Sequence, residues 1–242
     1  MIRTSVRGGA LKHVLGATLL ALASVGAAQA AIITFEGNSG PALNGQTIGE
    51  AGYAINFSAP DNATPSGTVQ VGRFIDGSAP ASCGANICPD NNTTTYFDLF
   101  GTGYVDIMPN TGTGTFSFRG LDASFIGTPG TSYPPTPAAI QVIGFVNGAE
   151  AGSVQFNLPG PADGSASFAR YKASPDFAQM QFTEIAIVGF VCDAQGNCTG
   201  LDNNAGQFAL DNITLSDIPE PGTASLLALG LLGLGCYSRR RA

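Results

Sequence analysis

The sequence predicts an all-β domain, a β-sandwich or jelly roll, set between an N-terminal signal peptide and a C-terminal apolar helix. Three observations carry that expectation. Short apolar or alternating runs recur along residues 31–218, separated by clusters of Gly, Pro, Asn, Asp and Thr. Two runs alternate cleanly: Phe116 and Phe118 oppose Thr115, Ser117 and Arg119, and Val154, Phe156 and Leu158 alternate with polar neighbours. Helical periodicity is absent from the same region. Many short strands joined by glycine-rich turns make a sandwich or jelly roll.

Residues 1–30 read as the signal peptide. Arg3, Arg7 and Lys12 make a basic start, and Val14 to Val25 an apolar stretch of 12 residues, short for a membrane span. Ala28, Gln29 and Ala30 fit a small-x-small cleavage site, so the mature chain is expected to begin at Ala31. Arg3 and Arg7 are not adjacent, which argues against a twin-arginine signal and for the Sec export machinery.

Strands are expected near 32–35, 53–57, 68–74, 96–100, 104–108, 113–119, 122–126, 140–147, 151–158, 167–172, 179–191 and 206–215. The run from Phe182 to Val191 is apolar on both parities and reads as a central strand covered on both faces. In the last strand, Phe208 and Leu210 share one parity, and Ile213 and Leu215 the other. The switch predicts a bulge at Asp211 and Asn212. Neither an internal repeat nor a second domain is evident. The organisation is therefore 1–30, 31–218 and 219–242.

Charge narrows the functions. Residues 31–218 hold four basic residues (Arg73, Arg119, Arg170, Lys172) against sixteen acids, a net −12. Nucleic acid and anionic lipid need basic footprints, so neither is an expected partner. The single histidine, His13, lies in the signal peptide, which leaves the mature domain without a histidine base or metal ligand. Tryptophan is absent throughout, so any aromatic sugar platform must use Tyr53, Tyr96, Tyr104, Tyr133 or Tyr171.

The cysteines suit an oxidising compartment. Cys83 and Cys88 flank four residues, and Cys192 and Cys198 flank five. Two local disulfides, 83–88 and 192–198, are expected, each contributing about 2 kcal/mol by loop-closure entropy. Four cysteines allow three pairings, and a four-cysteine zinc site competes, although structural zinc favours tighter C-x-x-C hooks.

The tail has three parts: Pro219, Glu220 and Pro221; an uncharged apolar run from Gly222 to Ser238; and Arg239, Arg240 and Arg241. As a helix the 17-residue run spans roughly 25 Å, a little short for a bilayer core. The arginines stay cytoplasmic, so the domain sits across the membrane. The prolines keep Ile218 and Glu220 extended and accessible. This order of parts resembles the PEP-CTERM sorting signal of Gram-negative bacteria. The resemblance implies export, transient anchoring in the inner membrane, cleavage by an exosortase near the triplet, and delivery to the envelope or matrix. The string from Gln207 to Asp211 resembles a QF-x-x-D variant found upstream of some such tails.

More broadly, the start at Phe35-Glu36 and the end at Leu210-Asp211-Asn212 resemble carbohydrate-binding jelly-roll modules. That resemblance implies adjacent first and last strands and a structural calcium held by Glu36 and Asp211, with oxygens near Asn38 and Asn44 completing a shell. The plainer reading has Glu36 ending a strand and Asp211-Asn212 capping a turn. The loop from Asp193 to Asn204 is a second acidic candidate that turn chemistry explains better. Glycoside hydrolysis needs only two carboxylates, but Glu36, Glu50, Glu150 and Glu184 form no clustered pattern. Thr111, Thr113 and Thr115 make one alternating triplet, too little for an ice-binding face. A non-enzymatic component of a polysaccharide-rich matrix is expected, with a carbohydrate-binding module as the alternative.

Overall fold

The computed structural model describes residues 30–60, 67, 69–161, 164–201 and 206–217. Residues Ala30–Asp217 form one unit. Its strands are β1 (Ala30–Ile33), β2 (Gly40–Leu43), β3 (Gln46–Glu50), β4 (Tyr53–Ser58), β5 (Gln70–Asp76), β6 (Thr95–Phe100), β7 (Tyr104–Pro109), β8 (Phe116–Ile126), β9 (Ala138–Val146), β10 (Ala149–Leu158), β11 (Ala169–Lys172), β12 (Glu184–Cys192), β13 (Cys198–Gly200) and β14 (Gln207–Asp217). They make two antiparallel sheets. The first runs β11-β8-β14-β6-β5-β2 with β1 also on β14, and the second runs β10-β9-β12-β7-β4-β3 with β13 on β12. The domain is all-β and sandwich-like.

The core lies between the sheets and is rich in phenylalanine. Phe35, Phe57, Phe74 and Phe97 pack ring to ring, with Phe57 and Phe97 at 4.7 Å between centroids. Glycines on facing strands make room for other rings. A Cβ on Gly144 would collide with the Phe182 ring, and one on Gly189 with the Phe208 ring. Several strand glycines that look like weak points in the sequence are therefore half of a packing pair.

β12 is central, flanked by β9 and β7, and Ile185 to Val188 are buried on both parities. The predicted switch in β14 is present. Register shifts follow Asp211, Asn212 is left-handed (φ 48°), and Phe208, Leu210, Ile213 and Leu215 all reach the core. The bulge also marks a change of neighbour. One edge of β14 pairs with β6 through Leu210 and with β1 from Ile213 onward.

Local structure differs from the expectations where backbone chemistry overrides side-chain pattern. The expected strands 113–119 and 122–126 are one strand that begins at Phe116, because Gly112 and Gly114 are left-handed and turn the preceding segment. Thr111 lies in that turn, its hydroxyl donating to the Thr113 carbonyl at 2.7 Å, so the threonine triplet is no strand face. Ser117, expected to point outward, is fully buried. Residues Pro175–Gln179 form a short helix, α1, started by Ser174, whose hydroxyl accepts from the Phe177 N–H, with Pro175 in the first turn. β2, β3 and β13 are short strands outside the expected set.

Both expected disulfides are formed, Cys83–Cys88 and Cys192–Cys198. The second clips a hairpin whose turn is held by Asp193, which accepts from Gln195 N, Asn197 N and Asn197 Nδ2. Asp193 is thus a turn residue, while Asp202, Asn203 and Asn204 lie outside the described residues.

Glu50 has a structural role that the sequence did not suggest. From β3 in the second sheet it reaches the end of β1, accepting from Thr34 N at 2.7 Å, Thr34 Oγ1 at 2.9 Å and Phe35 N at 3.1 Å. Phe35 is left-handed (φ 59°), a conformation costly for an aromatic residue and held here by the clamp. Glu50→Ala is expected to cost about 2 kcal/mol, since hydrogen bonds to a charged acceptor are the stronger kind. Urea melts of the two proteins check this, and an unchanged midpoint would contradict it.

Candidate functional site

A polar cleft of about 430 Å³ opens on the outer face of the first sheet. Its floor is set by strand register. Asp211 of β14 lies directly opposite Asp122 of β8, which in turn lies opposite Arg170 of β11. Like charges in directly opposed positions repel, so this floor needs donors. Asn212 supplies them because the bulge turns its amide back over the pair. Its Nδ2 donates to Asp122 Oδ2 at 2.8 Å and to Asp211 Oδ2 at 3.3 Å. Arg170 Nη1 donates to Asp122 Oδ1 at 3.2 Å and to the Asn212 carbonyl at 3.1 Å, and its Nη2 reaches Thr214 Oγ1 at 2.6 Å.

The walls come from residues 91–94 and from Phe168 and Ala169. Asn92 Nδ2 donates to Asp211 Oδ2 at 2.7 Å, while its Oδ1 accepts from Thr94 N and Oγ1. Asn91 clasps Phe168 through both backbone groups. Below, Asp90 accepts from the hydroxyls of Ser165 and Ser167, which hold its carboxyl below the usual range. The walls rest on a small second core of Ile75, Tyr96, Ile126 and Ala209, against which Cys88 and Phe168 pack. The cleft is therefore prebuilt. Asp211 is 1% exposed, and burial pushes its carboxyl up to about 6 against the hydrogen bonds from Asn92 and Asn212, with Asp122 and Glu36 adding to the rise.

The bulge explains the position of the sequence-derived pair. β1 and β6 share one edge of β14, so the chain after β1 meets the start of β6 beside Asp211. Glu36 lies there, close enough for its charge to act on Asp211, but its Oε1 accepts from Thr95 N at 3.0 Å. The Asp211 oxygens likewise face N–H donors. Asn38 Nδ2 donates to the Phe35 carbonyl, and Asn44 Oδ1 accepts from Ala59 N. Among the described residues no group of three or more His, Cys, Asp and Glu side chains could hold a metal ion. Glu36 and Asp211 thus accept from N–H donors at the positions where the resemblance implies calcium ligands.

The tyrosines form no common platform. Tyr53 and Tyr96 are buried at 2% and 1% exposure. Tyr133 packs on Phe125 and accepts from Thr128 N, and Tyr171 packs on Phe156 and donates to the Asn157 carbonyl. Tyr104 is half-buried on β7, on the other sheet. Asp106, which pattern reading passed over, lies on the outward face of β7, where burial and the Glu184 charge push its carboxyl up to about 7. Ala30 is the first residue of β1, opposite Ser216, and Ala31 the second, opposite Leu215. The rest of the expected signal peptide, and Pro219, Glu220, Pro221 and Arg239 to Arg241, lie outside the described residues. No helix among the described residues is long and apolar enough to cross a membrane.

The class these features define is a two-sheet antiparallel sandwich followed by a sorting address. A DUF4465 family protein from Bacteroides caccae ATCC 43185 shares the fold, with a TM-score of 0.50 and 14% identity over 78% of this chain and 100% of its own. Residues 217–241 match the PEP-CTERM protein-sorting motif, so this is an exported chain, anchored before exosortase processing and then extracellular or at the surface. Two looser likenesses carry no argument. They are TmCBM61 in complex with β-1,4-galactotriose (TM-score 0.32, 11% identity, 68% of this chain and 88% of that one) and the enzymatically active domain of bacteriophage CBA120 tailspike protein 4 (TM-score 0.31, 14% identity, 75% and 21%). No curated protein matches the chain.

Proposed function

We propose that the processed domain is a non-enzymatic component of a polysaccharide-rich extracellular matrix or cell envelope. The observation that carries this reading is the sorting motif beginning at residue 217, where the last strand of the sandwich ends. The domain is what an exosortase would release. Its make-up suits a stable surface component, with two disulfides and a large aromatic core. Buried and scattered tyrosines favour a matrix role over a sugar-binding module with an aromatic platform.

Fractionation tests the reading. Cells producing the full chain are separated into membrane, loosely bound polysaccharide and culture fluid. The processed domain is expected with the polysaccharide, and to leave it when the polymer is degraded. Recovery in the inner membrane, or free in the fluid with no polymer dependence, would overturn the proposal.

A further inference from the structure

We infer that the polar cleft on the first sheet is a binding site for a neutral saccharide unit of the surrounding polymer. The inference rests on the matrix reading and assigns that contact to particular residues. The ligand class follows from what the cleft still offers once its internal bonds are made. A carboxylate has about four acceptor positions. Asp122 uses two of them, for Arg170 and Asn212, and keeps the rest open to the cleft, while Asp211, at 1% exposure, is occupied by Asn92 and by the backbone and side chain of Asn212. The hydroxyls of Thr93 and Thr94 and the outer donors of the Arg170 guanidinium line the same space. A ligand that donates to a carboxylate and accepts from a guanidinium, at neighbouring positions, is a polyol.

Charge excludes the main rivals. Two carboxylates face a single guanidinium, and Glu36 acts on the same floor, so a phosphate, sulfate or uronate is repelled. A bare cation would compete with the N–H donors and the guanidinium that already occupy the carboxylates. Phe168 provides one apolar wall, held edge-on against Tyr96 at 5.3 Å, suited to the C–H face of a single ring. The volume, about 430 Å³, is in the range of small-ligand clefts. The walls are fixed in advance by Asn91 and Asn92, so little ordering is needed on binding.

The test is an array of neutral and acidic oligosaccharides probed with the mature exported protein, in EDTA and in calcium. Binding to neutral oligosaccharides in both buffers is expected. Thr93→Tyr, at an exposed wall position, fills the cleft and is expected to weaken binding at least tenfold. Asp122→Asn removes one acceptor and is expected to weaken it similarly. If Asp122→Asn proves unstable, Thr93→Tyr alone decides. Absence of neutral-glycan binding, preference for acidic glycans, dependence on calcium, or full binding by Thr93→Tyr would each overturn the inference. A protein that fractionates with polysaccharide yet fails the array keeps the matrix role and loses this site. One found in the membrane loses the matrix reading first.

Discussion

The intact mass of the exported protein is expected to correspond to a chain that begins at Ala31 and lacks Arg239, Arg240 and Arg241, with the thiol hydrogens lost to the two disulfides. The effect is all-or-none. If the 17-residue run were helical, its expected length of roughly 25 Å would be marginal for a bilayer core, which suits temporary anchoring. The two prolines are expected to disfavour helix around Glu220 and to leave the strip accessible to a membrane-embedded enzyme. The last residue of β14 is Asp217, so the folded domain is complete before the strip begins. Replacing Pro219, Glu220 and Pro221 together by alanine extends the helical tendency into the strip, and the chain is then expected to stay in the membrane at its uncut mass. A mature protein that still contains the three arginines would make the tail a permanent anchor.

Arg73→Met is expected to cost about 3–5 kcal/mol at pH 8, because it strips a fully buried carboxylate of its counter-ion. Asp98 is 0% exposed on β6, and Arg73 Nε lies 2.9 Å from its Oδ2. Asp98 Oδ1 has no hydrogen-bond partner among the described residues. Burial pushes its carboxyl up to about 6, against the hydrogen bond and charge of Arg73. Without Arg73 that opposition disappears and the carboxyl rises further. At pH 5 the variant therefore protonates Asp98 and escapes most of the loss. A midpoint shift of roughly 10 °C at pH 8, reduced by half or more at pH 5, is the expected pattern. Equal losses at the two pH values would show that packing of the arginine stem is the whole effect.

The same groups set the pH dependence of the unaltered domain. Asp98 and Asp211 are raised to about 6 and Asp106 to about 7, each from 3.8. A carboxyl whose folded pKa is raised contributes stability below its unfolded value, and that contribution is lost as pH rises through the folded value. Thermal melting is thus expected several degrees higher at pH 5 than at pH 8. Three exposed carboxyls act in the opposite sense. Asp76 is held low by Ser78, Asp90 by Ser165 and Ser167, and Asp193 by Asn197, so their contributions are lost only as pH falls below 3.8.

Much of the fold is legible in the chain because it is written in local periods. Phe116 and Phe118, or Val154, Phe156 and Leu158, reveal a strand and its buried face without reference to any other part of the molecule. The parity switch at Asp211 and Asn212 reveals the bulge in the same way. Short elements are harder to see. In β3, between the turns at Gly45 and Gly52, too few residues alternate to show a period, and Pro175–Gln179 has room for little more than one helical turn.

The cleft is hardly legible at all. Asp211 draws attention through its place near the chain end, but Asp122 and Arg170 look like ordinary outward-facing residues of half-buried strands. Asn92 looks like any loop asparagine. They meet because β8 pairs with both β14 and β11, and because a loop more than a hundred residues from Asp211 folds back over the same face. The sequence by itself determined the C-terminal sorting motif, the acidic, histidine-free make-up of residues 31–218, their all-β character and their disulfide spacing. Each of these depends on residues that are neighbours along the chain. Only the tertiary structure decided that Asp211 faces Asp122, that Asn212 bridges them, and that Glu50 clamps β1. Those contacts depend on strand register and loop closure between distant segments, and no local pattern carries that information.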